Sequence, residues 1–144
     1  MSNKKQRDIE LFIVDIFVSI QKIDEYTNLF DNPSDLQHSS LHWDATIRQL
    51  EVIGEALNNL LNNDTFNRLA PKYFRKIVNF RNAIVHGYFG IDLDEVWDII
   101  TDKLKILKEN IDISSAIESS INEYQKMNDI NIVKFLIKLE NNII

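Results

Sequence analysis

The sequence predicts an all-α fold: an antiparallel bundle of about four main helices, with additional short helices at the C-terminal end. Three observations lead there. Turn residues are scarce, at 3 Gly and 2 Pro in 144 residues, too few for the many turns of an all-β chain. Apolar residues recur at three- and four-residue steps over long stretches, which is the period of an amphipathic helix. The connections between those stretches are short, which favours antiparallel neighbours. The length suits one domain with a real core. We divide it into a helical bundle over 1–112 and a helical extension over 113–144. The extension either packs on the same domain or serves as a contact element.

The first helix is predicted over 8–30, where Ile9, Phe12, Ile13, Ile16, Ile20 and Ile23 form one stripe. Asp31-Asn32-Pro33-Ser34 breaks it. The second covers roughly 41–63, with Ile47, Leu50, Gly54, Leu57 and Leu61 on its inner face. A glycine inside a helix costs about 1 kcal/mol relative to Ala, and we read Gly54 as the place where another helix comes close. Pro71 fits the first turn of the third helix. Phe74, Ile77, Val78, Ile84 and Val85 continue it, and Gly87 is its C-cap. Asp92 is an N-cap with Glu95 three residues on, in the manner of a capping box. The fourth helix carries Leu93, Val96, Trp97, Ile100, Leu104 and Leu107. Asp112 to Ser115 is a further break, and 116–127 and 130–142 read as two shorter helices.

Composition excludes several classes. Hydrophobic residues at 44% and charged residues at 26% are ordinary for a soluble globular protein. Without Cys there is neither a disulfide nor a thiolate metal site. No apolar run is long enough to span a bilayer. The basic start, Met1 to Arg7, is followed by Asp8 and Glu10, unlike a signal peptide. The expectation is a cytoplasmic protein with no membrane partner. The net charge of −6 is unfavourable for a polyanion binder. Any RNA site must then be a small basic surface, or one shared between subunits.

The informative stretch is Phe80-Arg81-Asn82-Ala83-Ile84-Val85-His86-Gly87-Tyr88-Phe89. Arg81 is a permanent cation that can fork onto phosphate oxygens. His86 can exchange a proton near neutral pH, and Tyr88 adds a phenol just beyond the helix end. Charge stabilisation plus a proton carrier is what phosphodiester cleavage without a metal requires. Arg81 and His86 are five residues apart, about 7.5 Å of rise and 140° of rotation, so they share no narrow face. Asn82 and His86 do, and Asn82 could orient the imidazole. By residue type alone, an Arg and a His here could also do no more than stabilise the helix dipole.

Arg81-x4-His86 followed by Gly87-Tyr88-Phe89 resembles the Arg-x4-His-x-Tyr signature of the HepT toxin family, which belongs to the HEPN class. Arg48-Gln49-Leu50-Glu51-Val52-Ile53-Gly54-Glu55-Ala56-Leu57 is similar to that family's second-helix pattern. Asp92-Leu93-Asp94-Glu95-Val96-Trp97 is similar to its segment after the tyrosine. The likeness covers roughly 8–110. It implies the toxin of a type VII-like toxin–antitoxin pair, a metal-independent RNA endonuclease that forms a 2′,3′-cyclic phosphate and a 5′-OH. His86 would be the general base or acid, Arg81 would stabilise the scissile phosphate, and Asn82 would support it. Tyr88 would accept AMP from a nucleotidyltransferase antitoxin, which would block RNA by charge and bulk.

Glu51 and Glu55, one turn apart, could pair with Arg81, and we place Glu55 in that supporting role. A homodimer would bring two sets of these residues together. Neither a metal nor a cofactor is expected. His38 and His42 have the spacing of a metal pair, but no third ligand is evident and they read as surface histidines. Lys103, Lys105 and Lys108 with Glu109 read as a solvated face. Lys72, Arg75 and Lys76 lie one to two turns before Arg81 and could extend a basic track toward it. Trp97 and Phe89 read as core or interface. The alternative function is a non-catalytic HEPN interaction module that binds a nucleotidyltransferase or RNA.

Overall fold

The first apolar stripe becomes α1, Ser2–Thr27. It buries Val14, Ile16, Phe17, Ile20 and Ile23, with Ile9, Phe12 and Ile13 partly covered beside them. The structure is a computed structural model that describes residues 2–86 and 91–111, together with 121, 122, 125 and 137. For residues 2–7, 65 and 69 it describes the backbone alone. Among the described residues there is helix and no strand, so the chain is an all-α, HEPN-like bundle. None of these helices is long and apolar enough to cross a membrane.

The break after α1 also starts a helix. Asn32 is extended at φ −150°, ψ 159°, and its Oδ1 accepts the Asp35 N–H at 2.9 Å. Pro33 fills the first turn, where a missing N–H costs nothing. The result is α2, Pro33–His38, which buries Leu36 completely. His38 is exposed, while His42 Nδ1 meets Ser39 Oγ at 2.6 Å and its ring stands edge-on to Phe30 with centroids 5.2 Å apart. The two histidines thus have separate surroundings.

The second predicted helix is α3, Ser40–Leu61. All five residues assigned to its inner face are buried. It is the central element: α1 and α5 (Tyr73–Val85) pack along it, and α2 and α4 (Asp64–Leu69) rest on it. The short α4 is capped as α2 is, with Asn63 Oδ1 accepting the Phe66 N–H at 3.0 Å. Pro71 lies in the opening turn of α5, because its carbonyl accepts the Phe74 N–H at 3.1 Å. Phe74, Ile77, Val78 and Phe80 form the buried face of α5. Its C-cap position is His86. Gly87, which the sequence favours as the cap, lies outside the described residues.

Asp92 caps α6, Leu93–Asp98, as predicted, accepting from Asp94 N at 2.9 Å and Glu95 N at 3.3 Å. The predicted fourth helix is not uniform. A π-helical turn, Ile99–Lys103, separates α6 from α7, Leu104–Asn110. Thr101 Oγ1 donates to the Trp97 carbonyl at 2.7 Å, so a hydroxyl competes with the backbone ladder. The wide turn also serves packing. Val96, Ile100 and Leu104 are buried four residues apart, and in a regular helix each such step drifts about 40° around the axis. A π turn winds less per residue and keeps all three toward the core. At the far end, Asn110 Nδ2 donates to Tyr73 Oη at 3.2 Å, tying α7 to the start of α5. The predicted helices over 116–127 and 130–142 fall mostly outside the described residues. Ile121 packs partly buried against the core, and Ile137 is exposed.

Asp15 on α1 is half-buried, and burial raises its carboxyl above the usual carboxylate range. A raised folded-state value means that the folded chain holds more protons than the unfolded chain between the two values. Stability from this group therefore grows as pH falls through that window and is lowest at neutral pH. Asp15→Asn should raise the melting temperature at pH 7 and raise it less at pH 4. An equal shift at both values would show that the carboxyl is not destabilised by its surroundings.

Candidate active site

The site begins with a missing side chain. Gly54 on α3 faces Arg81 on α5, and a Cβ placed on Gly54 would overlap Arg81 Cβ and lie 2.7 Å from Arg81 Cγ. It would also stand 3.4 Å from the Ile77 carbonyl oxygen. The two helices are therefore closer here than any other residue would allow. This is the close approach that the sequence predicts for Gly54, and it names the residue on the other side.

That contact fixes the root of the Arg81 side chain between two helices. Arg81 is half-buried, and its Nη1 donates to Asn82 Oδ1 at 3.0 Å. Its Nε is buried and has no hydrogen-bond partner. A buried guanidinium N–H without an acceptor is costly, and the contacts of Arg81 with Gly54 and Asn82 hold it in that position. Among the described residues no carboxylate pairs with Arg81. Glu51 pairs instead with Arg48, at 3.1 Å.

Glu55, which the sequence places in a supporting role, is exposed and is not brought to Arg81. The reason is rotational. Neighbouring residues on a helix point about 100° apart, and the direction toward α5 at this level belongs to Gly54. Asn82 does reach the site, but its side-chain oxygen serves Arg81, whereas the sequence pattern points to the imidazole. Neighbours in a helix do not ordinarily face each other, so this pairing has no sequence signature.

His86 is exposed and ends α5 at φ −78°, ψ 0°. Its backbone N–H donates to the Asn82 carbonyl at 3.0 Å, so one residue ties the arginine side chain and the histidine backbone together. Val85 beside it is half-exposed, an apolar side chain on the rim of the site. Tyr88 lies outside the described residues. Arg81, Asn82 and His86 thus occupy the last turn and a half of one helix, with Arg81 rooted in the core and His86 at its open end. Chemically the arrangement offers a half-buried cation rooted in the core and an imidazole at the surface.

Comparison with known proteins finds a family model and curated relatives. The family model described as "Ribonuclease HepT-like" matches residues 16–113, a span that holds α3, α5 and the residues above. A Methanocaldococcus jannaschii protein named as a putative RNase is 32% identical over 108 residues, which cover 75% of this chain and 97% of that protein. A second protein so named from the same organism is 33% identical over 121 residues, covering 81% of this chain and 98% of its own length. A Thermococcus cleftensis protein named as a probable ribonuclease HepT is 33% identical over 98 residues, covering 67% and 86% respectively. No solved structure matches.

The Gly54 contact makes a prediction in which two principles oppose each other. Gly54→Ala gains about 1 kcal/mol of helix propensity but overpacks a tight contact, which costs roughly 1–3 kcal/mol. The clash involves Arg81 Cβ, which cannot swing away without its backbone. Gly54→Ala should therefore lower stability in denaturant titration, whereas Gly→Ala at an open helix position would raise it. A stabilised variant would show that the helices can part freely here.

Proposed function

Since this chain belongs to the HepT-like ribonuclease family, we propose that it is an RNA endonuclease and the toxin of a toxin–antitoxin pair. The observation that carries the reading is Arg81. It is a rooted guanidinium with an unsatisfied buried Nε and, among the described residues, no carboxylate partner, held by Asn82 next to His86. A guanidinium that the described residues leave without a carboxylate keeps its charge for a phosphate oxygen.

In the proposed reaction His86 takes the proton of the ribose 2′-OH, or supplies one to the leaving oxygen. The 2′-oxygen attacks the adjacent phosphorus and the bond from phosphorus to the 5′-oxygen breaks. The proton lost from the 2′-OH is balanced by one gained on the 5′-OH, and the other product is a 2′,3′-cyclic phosphate. Arg81 bears the charge that gathers on the phosphoryl oxygens. The nucleophile belongs to the substrate, so no metal-bound water is needed. Two copies around a two-fold axis would double the cationic surface of an acidic chain, and the half-exposed Val85 at the rim supports such a contact. Light scattering that gives only monomer at micromolar concentration would count against the dimer.

Arg81→Ala and His86→Ala should each lose RNA cleavage by about a hundredfold or more while keeping their helical circular dichroism. A substrate with a single 2′-deoxy nucleotide at the scissile position should resist cutting there. Cleavage at the deoxy position, or full activity of His86→Ala, would remove the mechanism.

Regulation is proposed at Tyr88, two residues after His86. An AMP group on this phenol would set a bulky anion beside Arg81 and His86. A cognate nucleotidyltransferase with ATP should add AMP to the wild-type chain and silence it. Tyr88→Phe should keep cleavage, escape silencing and show no added mass by mass spectrometry. A Tyr88→Phe variant as inactive as His86→Ala would assign the tyrosine to the chemical step instead.

A further inference from the structure

Charge is unevenly divided along this chain. Residues 65–91 hold five of the 16 Lys and Arg side chains and none of the 22 Asp and Glu. The remainder carries eleven basic and 22 acidic residues. A protein with a net charge of −6 thus keeps one segment at +5.

The structure lays most of that charge along one surface. Lys72, Arg75, Lys76, Asn79 and His86 are all exposed. Their three-, four- and seven-residue spacings line the side of α5 opposite Phe74, Ile77, Val78 and Phe80. From Lys72 to His86 the helix rises about 21 Å. Arg68 at the end of α4 is exposed too, and Arg75 Nη2 donates to Asn67 Oδ1, which fastens the end of α4 to this face. Lys72 repels Arg75 and Lys76 at i+3 and i+4, and α5 has no acidic residue to offset them. The other described lysine cluster is different. Lys103 pairs with Asp98 at 3.7 Å, and Lys105 and Lys108 face Asp24.

We propose that the exposed face of α5, from Lys72 to His86 with Arg68 at its far end, is the track for single-stranded RNA leading to the scissile bond. The inference rests on the ribonuclease reading and extends it, because it places the flanking strand on the chain. Arg75 and the lysines bind phosphates without regard to base, Asn79 offers a donor to phosphate or sugar, and the strand ends at His86, while Arg81, rooted on the opposite side of α5, turns its guanidinium to Asn82 in the turn that His86 closes. Charge complementarity supports this occupant. The track is a positive ribbon on a protein of net negative charge, so RNA is drawn to the line that leads to the site more than to the body as a whole.

The test is binding of a labelled single-stranded RNA by fluorescence anisotropy, in the His86→Ala chain so that the RNA stays intact. Two matched pairs remove the same charge, Lys72→Gln with Lys76→Gln on α5, and Lys105→Gln with Lys108→Gln on α7. All four lysines are exposed, and melting curves check that both variants are folded. The α5 pair should weaken binding by about tenfold at low salt. It should also reduce the slope of log affinity against log salt by about 1.4, since each lost phosphate contact on a single strand contributes about 0.7. The α7 pair should change affinity less than twofold. Equal losses from both pairs, or none from the α5 pair, would overturn the track. So would an α5 pair that keeps RNA binding but loses an acidic protein partner. If the α5 pair weakens binding as expected while the wild-type chain cuts no RNA, the ribonuclease reading fails and the track stands.

Discussion

α3 and α5 meet where Gly54 faces Arg81, and the rest of the site depends on that contact. The absence of a Cβ brings the helices together, and their closeness holds the root of the arginine against the core. A half-buried guanidinium loses the water that would satisfy it and must find partners in the fold. It finds one in Asn82 and leaves Nε open. The glycine's conformational freedom is not the point here, since α3 is regular through this position. What matters is volume.

Around that contact, among the described residues, the fold keeps competing carboxylates away. Glu51 is engaged by Arg48, and Glu55 points to solvent because Gly54 occupies the direction toward α5. An acidic chain can in this way keep a cation available. The two ends of α5 are set independently. Tyr73 is tied to Asn110 at the end of α7, and the last turn closes by the His86 N–H to the Asn82 carbonyl. α5 is thus tied to α7 at its start and rooted against α3 at Arg81, and preorganised charge stabilisation requires a cation anchored in this way.

Much of this is legible in the residues. The stripes of α1 and α3, the Asp92 cap and the close approach at Gly54 follow from period, capping chemistry and the cost of glycine in a helix. Two short helices were not foreseen, though Asn32-Pro33 and Asn63-Asp64 carry their capping signals. Those sequences also read as plain breaks, and six residues are too few for a stripe to show. The π turn at Ile99–Lys103 was not foreseen because regular apolar spacing looks the same whether the helix drifts or unwinds to compensate. Thr101, with a hydroxyl able to reach the Trp97 carbonyl, is the residue that could have pointed to it.

By itself the sequence determined that the chain is helical, where its long helices run, which family it resembles and which Arg and His to watch. Those follow from local periodicity, capping and motif order, all of which are written along the chain. Only the tertiary structure decided what Arg81 touches. The partner of Gly54, the choice of Asn82 over Glu55 and the open Nε depend on where two helices cross and how each is rotated about its axis. A rotation of one residue position, about 100°, would have exchanged Gly54 for Glu55 at the contact and replaced an available cation with a salt bridge.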